Sequence, residues 1–200
     1  PPGLAALDYA PFRAMLRAAM DRAGMVRIDH VLGLERAYWV PEDGAPGAYV
    51  RQPGKVLEAL VRLEAARSGT LVVGEDLGTV PEGFRPRMAA QNLHGCAVLQ
   101  FEGGPEGFAD PAEWRAPSLA AFGTHDTPTL AGWWEATEAE LRLSLGHLDA
   151  AGAAALRARR ARERAALCRR LAAAGLLPAE VSAEAPPETP APALRDAVHA

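Results

Sequence analysis

The sequence contains few cysteines, since only Cys96 and Cys168 occur among its 200 residues. Two cysteines cannot form the disulfide framework of small secreted proteins, so we expect two buried thiols in a reducing, cytoplasmic compartment. A run of about 20 apolar residues is also lacking, which predicts no membrane-spanning helix. No positively charged start precedes an apolar stretch, which predicts no secretory signal. The first residue is Pro1 rather than Met, and we expect the chain to be a piece of a longer protein.

An excess of positive charge is absent as well. The chain has 21 Lys and Arg against 25 Asp and Glu, for a net charge of -4. Many arginines lie in residues 150–175, where no aromatic residue occurs between them, so we expect a solvated helix face and no nucleic-acid binding. Neither a GxGxxG pattern nor a P-loop is present, which argues against a nucleotide site. Hydrophobic residues make up 49% of the chain, enough for a domain with a sizeable core.

The hydrophobic pattern predicts an α/β protein in which helices and short apolar strands alternate along the chain. In the predicted helix over 55–69, Val56, Leu60 and Leu63 are expected to form the apolar face. Such alternation favours a parallel sheet with crossover helices. The predicted helices cover residues 7–24, 55–69, 81–93 and 150–175, and the predicted strands cover 25–34, 70–78, 95–102 and 119–130. Residues 37–54 and 103–118 are expected to form loops or short elements because they are rich in Pro and Gly.

Carboxylates occur at the ends of three predicted strands. Asp29 lies in "RIDH", Glu75 in "VGED" and Asp126 in "GTHD". In a barrel of parallel strands the carboxyl ends of all strands meet on one face, where active sites are built. Each carboxylate alone could be a helix cap or a loop residue. The three together predict a site that collects residues from distant parts of the chain.

The neighbours of these carboxylates indicate different roles for two of them. Arg27 precedes Asp29 by two residues, so both side chains face the same side of a strand, and the guanidinium favours an ionised carboxylate suited to nucleophilic attack. Glu75 follows the apolar residues 72–74, so we expect a partly protonated group able to act as general acid and then base. Two carboxyl groups held in different protonation states are what cleavage of a glycosidic bond requires. Asp126 could stabilise positive charge in the transition state or bind sugar hydroxyls.

Two other readings of these residues remain open. His30 and His125 could bind a divalent metal together with carboxylates, but the pair "HD" is a weak motif and His30 has no histidine partner at helical spacing, so no metal site is predicted. The aromatic residues near the strand ends could stack on sugar rings or could pack in the core. These aromatic residues are Tyr38, Trp39, Tyr49, Trp133 and Trp134.

The chain closely resembles the 4-alpha-glucanotransferases of the amylomaltase type, over roughly residues 4–135. The resemblance is carried by the motifs "LRAAMDRAGMVRIDHVLGLERAYWVPE", "GAYVRQP", "VVGEDLGTVPEGFR", "AVLQFE" and "THDTPTLAGWW". It implies a TIM-type (β/α)8 barrel related to the alpha-amylase clan, of which this chain would supply strands four to seven. Residues 1–200 would then be one partial catalytic domain, with the catalytic segment in 1–135 and a helical, Pro-rich part in 136–200.

The resemblance also implies roles for individual residues. Asp29 matches the nucleophile, Glu75 the general acid/base and Asp126 the carboxylate that stabilises the transition state. Arg27 matches the arginine that contacts the nucleophile, and His125 matches the histidine that lines the donor subsite. The implied reaction moves alpha-1,4-glucan segments to glucose or glucan acceptors by double displacement, without a cofactor.

The chain departs from the family pattern at two positions outside these residues. Gln52 stands where the family usually has Tyr, and Thr127 stands where Leu is common. A hydrolase of the same clan or a non-catalytic glucan-binding piece are the alternatives that the motifs leave open. Because four strands of a barrel leave open edges, we expect the chain by itself to be poorly active or inactive.

Overall fold

The computed structural model describes residues 2–200 and shows an α/β chain. Helices overlap each of the four predicted helical segments and are mostly shorter than them, but a helix over Pro2–Ala6 lies outside these segments and one over Leu130–Glu135 begins where a strand was predicted. Residue 24, for example, lies beyond the second helix, because the helix already ends at Met20. The helices are α1 (Pro2–Ala6), α2 (Ala10–Met20), α3 (Gly54–Ser68), α4 (Phe84–Ala90), α5 (Leu130–Glu135), α6 (Thr137–Ser144), α7 (Ala150–Ala173) and α8 (Pro192–His199).

The strands are brief, as expected for short apolar runs between helices. The predicted loop over 37–54 contains most of an antiparallel hairpin, and the predicted loop over 103–118 contains a second, very short one. The strands are β1 (Met25–Ile28), β2 (Arg36–Trp39), β3 (Ala48–Arg51), β4 (Leu71–Gly74), β5 (Gly95–Val98), β6 (Gly103–Gly104), β7 (Gly107–Phe108) and β8 (Ser118–Ala121). A 3-10 turn over Val31–Leu34 follows β1.

The predicted parallel pairing is confirmed for β1 and β4. These two strands run in register from the pair Met25 and Leu71 to the pair Ile28 and Gly74. On its other side β4 continues the parallel arrangement toward β5, through a bridge between Val73 and His94. The parallel pairing of β1 and β4 therefore places the carboxyl ends of two chain segments, remote in sequence, at the same edge of their sheet.

The chain divides into two compact units, which we describe separately. The first contains residues up to Cys96 together with Ala116–Leu119, and the second contains Ala97–Arg115 and Ala120–Ala200. No helix in the described residues is long and apolar enough to cross a membrane.

The core of the first unit forms where α2, α3 and α4 pack against β1 and β4. Within α3 the buried apolar residues are Leu57 and Val61. The prediction that Val56 and Leu63 belong to the apolar face of this helix was wrong, because both side chains are exposed. The reason is that α3 also buries Glu58 and Glu64, whose carboxylates are bound by arginines of other helices. Acidic residues that are paired with arginines can be buried, so the buried face of a helix can differ from the face that the spacing of apolar residues predicts.

Glu64 is the most strongly paired carboxylate of the first unit. Its side chain is 2% exposed and accepts hydrogen bonds from Arg17 at 2.8 and 2.9 Å, Arg13 at 3.2 Å and Arg67 at 3.1 Å. The hydrogen bond from Arg17, opposed by burial and supported by Arg13 and Arg67, lowers the pKa of Glu64 to about 2. The Glu64 carboxylate thus links α2 to α3 through hydrogen bonds with arginines of both helices.

We expect Glu64→Gln to destabilise the chain at neutral pH and to have a diminishing effect as the solution is acidified. Because folding lowers the pKa of Glu64 from 4.5 to about 2, its contribution is complete above pH 4.5 and is lost as the pH falls toward 2. Urea unfolding of both proteins at several pH values checks this, with exposed Glu82→Gln as the control. A difference in unfolding free energy that stays constant across this range would contradict the prediction.

The core of the second unit surrounds two adjacent tryptophans on α5. Trp133 is 2% exposed and Trp134 is fully buried, with its indole Nε1 donating to the carbonyl of Pro187 at 2.8 Å. For these two residues the structure therefore supports core packing rather than a role on an open sugar-binding surface. Cys168 packs in the same core, where burial raises the pKa of its thiol to about 11. The prediction of buried thiols is confirmed for both cysteines, neither of which forms a disulfide.

The arginine-rich helix α7 is only partly a solvated face. Arg160 is mostly buried, lies over the ring of Trp133 at 4.9 Å from the ring centroid and forms ion pairs with Glu138 and Glu163. The expectation of a purely solvated face was therefore wrong at this position. Burial of Arg160 is possible because α5 and α6 supply both a carboxylate and an aromatic ring to it.

Candidate active site

Arg27 and Asp29 form an ion pair at the end of β1. The Arg27 guanidinium lies 2.7 Å from a carboxylate oxygen of Asp29, and the Asp29 side chain is 56% exposed. The two residues are separated by Ile28, so strand alternation directs both side chains to the same side. The structure thus confirms the neighbour relation expected from "RID".

Glu75 lies beside Asp29, at the corresponding end of β4. The last register pair of the two strands is Ile28 with Gly74, and each carboxylate residue directly follows one member of that pair. The backbone N of Glu75 donates to the carbonyl of Ile28 at 2.8 Å, and the backbone N of Val31 donates to the carbonyl of Glu75 at 2.9 Å. Two residues that are 46 positions apart in sequence are therefore brought together by the parallel pairing of β1 and β4.

The carboxylate of Glu75 is held by two main-chain donors. Its Oε2 accepts from the backbone N of His30 and its Oε1 accepts from the backbone N of Leu77, each at 2.8 Å. The expectation of apolar surroundings after residues 72–74 was wrong, because the side chain turns back onto polar backbone rather than onto the apolar strand. The two backbone donors therefore fix the position of the Glu75 carboxylate at the end of β4.

The turn after β1 presents one of these donors. His30 adopts a left-handed backbone conformation with a φ of 45°, which is uncommon for a residue with a side chain. This conformation directs its N–H toward Glu75 and starts the 3-10 turn over Val31–Leu34. The backbone that follows Asp29 thereby positions the neighbouring carboxylate, a relation that no side-chain motif reveals.

Asp76 supports the end of β4 from inside the core. It is fully buried, and its Oδ1 accepts from the backbone N of Cys96 at 3.0 Å while its Oδ2 accepts from Arg85 Nε at 3.1 Å. Arg85 also donates to the carbonyl of Asp76 at 3.0 Å. These two partners of Asp76 lie on β5 and α4. The pair "ED" thus directs one carboxylate to the strand edge and the other into the core.

Cys96 is a neighbour of the site that the sequence identified only as a buried thiol. Burial raises the pKa of its thiol, and a hydrogen bond with Arg27 opposes that effect. Cys96 therefore contacts the same guanidinium that pairs with Asp29. Cys96 is the second residue of β5, and β4 lies between β5 and the strand that carries Arg27. The sequence does not show this contact, because the two residues are far apart along the chain.

His125 and Asp126 belong to the second unit, in an exposed turn after β8. The ring Nε2 of His125 lies 3.4 Å from a carboxylate oxygen of Asp126. The backbone N of Asp126 donates to the hydroxyl of Thr124 at 3.2 Å, and the backbone N of Thr124 donates to the hydroxyl of Thr127 at 2.8 Å. The turn is thus closed by hydroxyl groups, and the side chains of His125 and Asp126 are both exposed.

Thr127 and Gln100 explain why this turn keeps its shape. The amide Nε2 of Gln100 donates to the carbonyl of Pro128 at 2.8 Å and to the hydroxyl of Thr127 at 3.3 Å. A Cβ on Gly123 would lie 2.5 Å from the Thr127 hydroxyl oxygen, so this approach requires glycine. Thr127, a position where the chain departs from the family pattern, therefore has a structural partner in this chain.

Across residues 2–200, no group of three or more His, Cys, Asp and Glu side chains is arranged to hold a metal ion.

The sequence of this chain matches a known protein family. A family model for 4-alpha-glucanotransferase matches residues 1–198. The chain belongs to the 4-alpha-glucanotransferase family. A 4-alpha-glucanotransferase from Mycobacterium bovis is 45% identical over 185 residues, and one from Haemophilus influenzae is 38% identical over 151 residues.

The structural comparison gives the same family. The amylomaltase from Corynebacterium glutamicum superposes with a TM-score of 0.79 and 35% sequence identity, covering 88% of this chain and 26% of that one. The matched part is also 25% of the Mycobacterium bovis relative and 22% of the Haemophilus influenzae relative. The chain therefore spans about a quarter of the length of the 4-alpha-glucanotransferases it resembles.

Proposed function

We propose that this chain carries the catalytic residues of a 4-alpha-glucanotransferase and forms strands four to seven of its (β/α)8 barrel. The observation that supports this most directly is the placement of Asp29, with Arg27, beside Glu75 at the ends of two paired parallel strands. Active sites of such barrels are built from residues at this end of the strands. In this proposal β1, β4 and β5 are consecutive barrel strands.

The first displacement uses both carboxylates. Asp29 attacks the anomeric carbon of an alpha-1,4-glucan, the glycosidic bond breaks, and Glu75 donates a proton to the departing 4-hydroxyl oxygen. The product is a glycosyl ester of Asp29, with the reducing-end part of the glucan released. Arg27 pairs with the attacking carboxylate of Asp29 and holds it in place. The backbone N–H groups of His30 and Leu77 hold the Glu75 carboxyl beside it.

The second displacement reverses these roles. A hydroxyl of glucose or of a second glucan attacks the same carbon, Glu75 accepts the proton of that hydroxyl, and Asp29 leaves as a carboxylate. Two inversions retain the alpha configuration. Hydrolysis would follow the same path with water as acceptor, so the two reactions differ only in the group admitted at this step.

The spacing of the strands supports a retaining reaction. Neighbouring strands lie about 4.8 Å apart. Retaining glycosidases separate their two carboxyl groups by about 5 to 5.5 Å, whereas inverting ones need roughly 6.5 to 9.5 Å to admit a water molecule. Carboxylates on adjacent strand ends, without a strand between them, fit the shorter separation.

Asp126 and His125 complete the proposal from the second unit. Both side chains belong to a turn that hydroxyl groups close, and both are mostly exposed. In the proposed enzyme Asp126 stabilises the positive charge of the oxocarbenium-like transition state, and His125 binds donor hydroxyls. The substrates are alpha-1,4-glucans and glucose, no cofactor takes part, and the enzyme is cytoplasmic.

The proposal is tested by exchanging segments. This chain replaces the matching 185 residues of the Mycobacterium bovis relative, and the product is assayed with maltotriose. We expect glucose and longer maltodextrins, with no change in the total number of reducing ends, because transfer conserves glycosidic bonds. Asp29→Ala should abolish the reaction, and circular dichroism shows whether the exchanged protein folds.

Other outcomes identify the alternative functions. A rising number of reducing ends that added glucose does not suppress would indicate a hydrolase. A folded exchange protein that binds maltodextrin without converting it would indicate a binding piece. The 200-residue chain assayed by itself should form little or no product, and efficient disproportionation by it would contradict the expectation that open barrel edges prevent activity.

A further inference from the structure

A cavity of about 570 Å³ in the first unit is not used by the proposed reaction. It lies beside the hairpin of β2 and β3, and its walls carry many charged groups. Its lining includes Arg36, Tyr49, Arg51, Lys55, Glu58 and Arg87. Its volume falls within the range of about 300 to 1,000 Å³ that is typical of small-molecule sites.

The hairpin places two arginines directly opposite each other. Arg36 pairs with Arg51 and Tyr38 pairs with Tyr49 in the antiparallel register, so all four side chains share one face. Like charges in directly opposed positions destabilise a hairpin. Among the described residues neither Arg36 nor Arg51 forms an ion pair, and the two carboxylates of the cavity, Glu35 and Glu58, pair with Arg87 instead.

Aromatic packing holds one of these guanidinium groups in place. The Cζ atom of Arg36 lies 4.6 Å from the ring centroid of Tyr49. The rings of Tyr49 and Tyr38 pack edge to face, with their centroids 5.1 Å apart. A guanidinium stacked on a ring loses little further freedom on binding, while the edge that carries its N–H groups stays available. Arg36 is therefore prepared to bind a planar or tetrahedral oxyanion through two hydrogen bonds.

The acidic groups of the cavity are already engaged by another arginine. Arg87 contacts Glu35 at 2.6 Å and Glu58 at 3.3 Å, and Gln91 donates to Glu58 at 2.9 Å. Glu58 is buried, and its charge is balanced inside this network. Arg36, Arg51 and Lys55 line the same cavity without taking part in that network, so the cavity has an excess of positive charge.

We propose that this cavity binds a small phosphate monoester, with the phosphate between Arg36 and Arg51 and with Lys55 as a third cation. A phosphate accepts bidentate hydrogen bonds from guanidinium groups and relieves the repulsion between the two arginines. The organic part of the ester lies against Tyr49, and the phenol hydroxyl and Gln52 offer hydrogen bonds to a polyhydroxylated molecule such as a sugar. The proposal does not depend on the proposed glucan chemistry.

Isothermal titration calorimetry on the 200-residue chain tests this proposal with three probes: glucose 1-phosphate, inorganic phosphate and maltotriose. We expect saturable binding of glucose 1-phosphate at one site, weaker binding of inorganic phosphate, and no binding of maltotriose at this site. Arg36→Gln should weaken glucose 1-phosphate binding about tenfold to a hundredfold, because hydrogen bonds between charged groups are among the stronger ones in proteins. The affinity should also fall as sodium chloride is added.

The matched control is Arg62→Gln, which removes one positive charge of the same unit from a different cavity. It should bind glucose 1-phosphate as the unchanged chain does. Arg51→Gln is a second variant that should show the same loss as Arg36→Gln, and urea unfolding verifies that each variant is folded. Equal affinity in Arg36→Gln and Arg62→Gln, absence of saturable phosphate binding, or equal competition by maltotriose would each overturn the proposal.

Discussion

Glu75→Gln in the exchange protein is expected to slow transfer from maltotriose about a hundredfold to ten-thousandfold, the range of general acid–base catalysis. The amide can accept no proton from the acceptor hydroxyl and supplies none to the leaving oxygen. It also changes one of the backbone contacts that the carboxylate makes with His30 and Leu77, because the amide NH2 group is a donor. Initial rates of glucose release measure the effect.

An alpha-glucosyl fluoride substrate separates the acid role from a structural one. Fluoride leaves without protonation, so the first displacement in Glu75→Gln should recover most of its rate with this donor. Azide as acceptor needs no base, so the second displacement should recover as well and yield a glucosyl azide. Asp29→Ala, which lacks the nucleophile, should gain from neither reagent by this route.

The two variants therefore give opposite patterns if the roles are as proposed. A Glu75→Gln protein that is equally slow with maltotriose and with the fluoride would show that Glu75 acts through positioning alone. An Asp29→Ala protein that transfers at the unchanged rate would remove Asp29 from the mechanism. Circular dichroism and urea midpoints that match the parent exclude unfolding as the cause.

Asp76→Ala is expected to lower the free energy of unfolding of the 200-residue chain by about 3 kcal/mol. The substitution removes the acceptor of the buried Cys96 N–H and of Arg85. The unpaired backbone donor stays buried, while Arg85, which is 43% exposed, turns to water and reduces the loss. Urea unfolding followed by tryptophan fluorescence and circular dichroism measures the change.

Two comparison variants locate the source of this effect. Asp76→Asn keeps an oxygen acceptor for Cys96 but loses the charge, so its destabilisation should be intermediate. Asp21→Ala removes an exposed ion pair with Arg22 and should change stability by less than about 0.5 kcal/mol. An Asp76→Ala protein as stable as Asp21→Ala would show that the buried carboxylate does not hold the end of β4 in place.

The sequence predicted those parts of the fold where local patterns are strong. The strand at "MVRI" and the helix before it were predicted because polar and apolar residues alternate at clear periods. The face of α3 was predicted wrongly, since Glu58 and Glu64 occupy buried positions. A sequence shows no distant arginines, so burial of a carboxylate that pairs with them cannot be read from its neighbours.

In the candidate site, too, relations between neighbouring residues were predicted and contacts between distant segments were not. The relation of Arg27 to Asp29 follows from strand alternation over three residues and was predicted. The hydrogen bonds that hold Glu75 come from backbone N–H groups of His30 and Leu77, and a backbone donor leaves no mark in the residue types. Apolar surroundings were predicted for Glu75 because the strand before it is apolar. Its side chain instead accepts hydrogen bonds from the turns that follow β1 and β4.

The residue order was sufficient to predict carboxylates at strand ends, an arginine two residues from one of them, and the motifs of the 4-alpha-glucanotransferase family. The direction in which each carboxylate of "GED" faces, and the groups that it contacts, depend on segments that come together only in the folded chain. Glu75 turns to the edge beside Asp29, and Asp76 turns into the core to bind Cys96 and Arg85. The physical reason is that parallel pairing joins segments remote in sequence, and a charge can be buried only where such a segment supplies its partners.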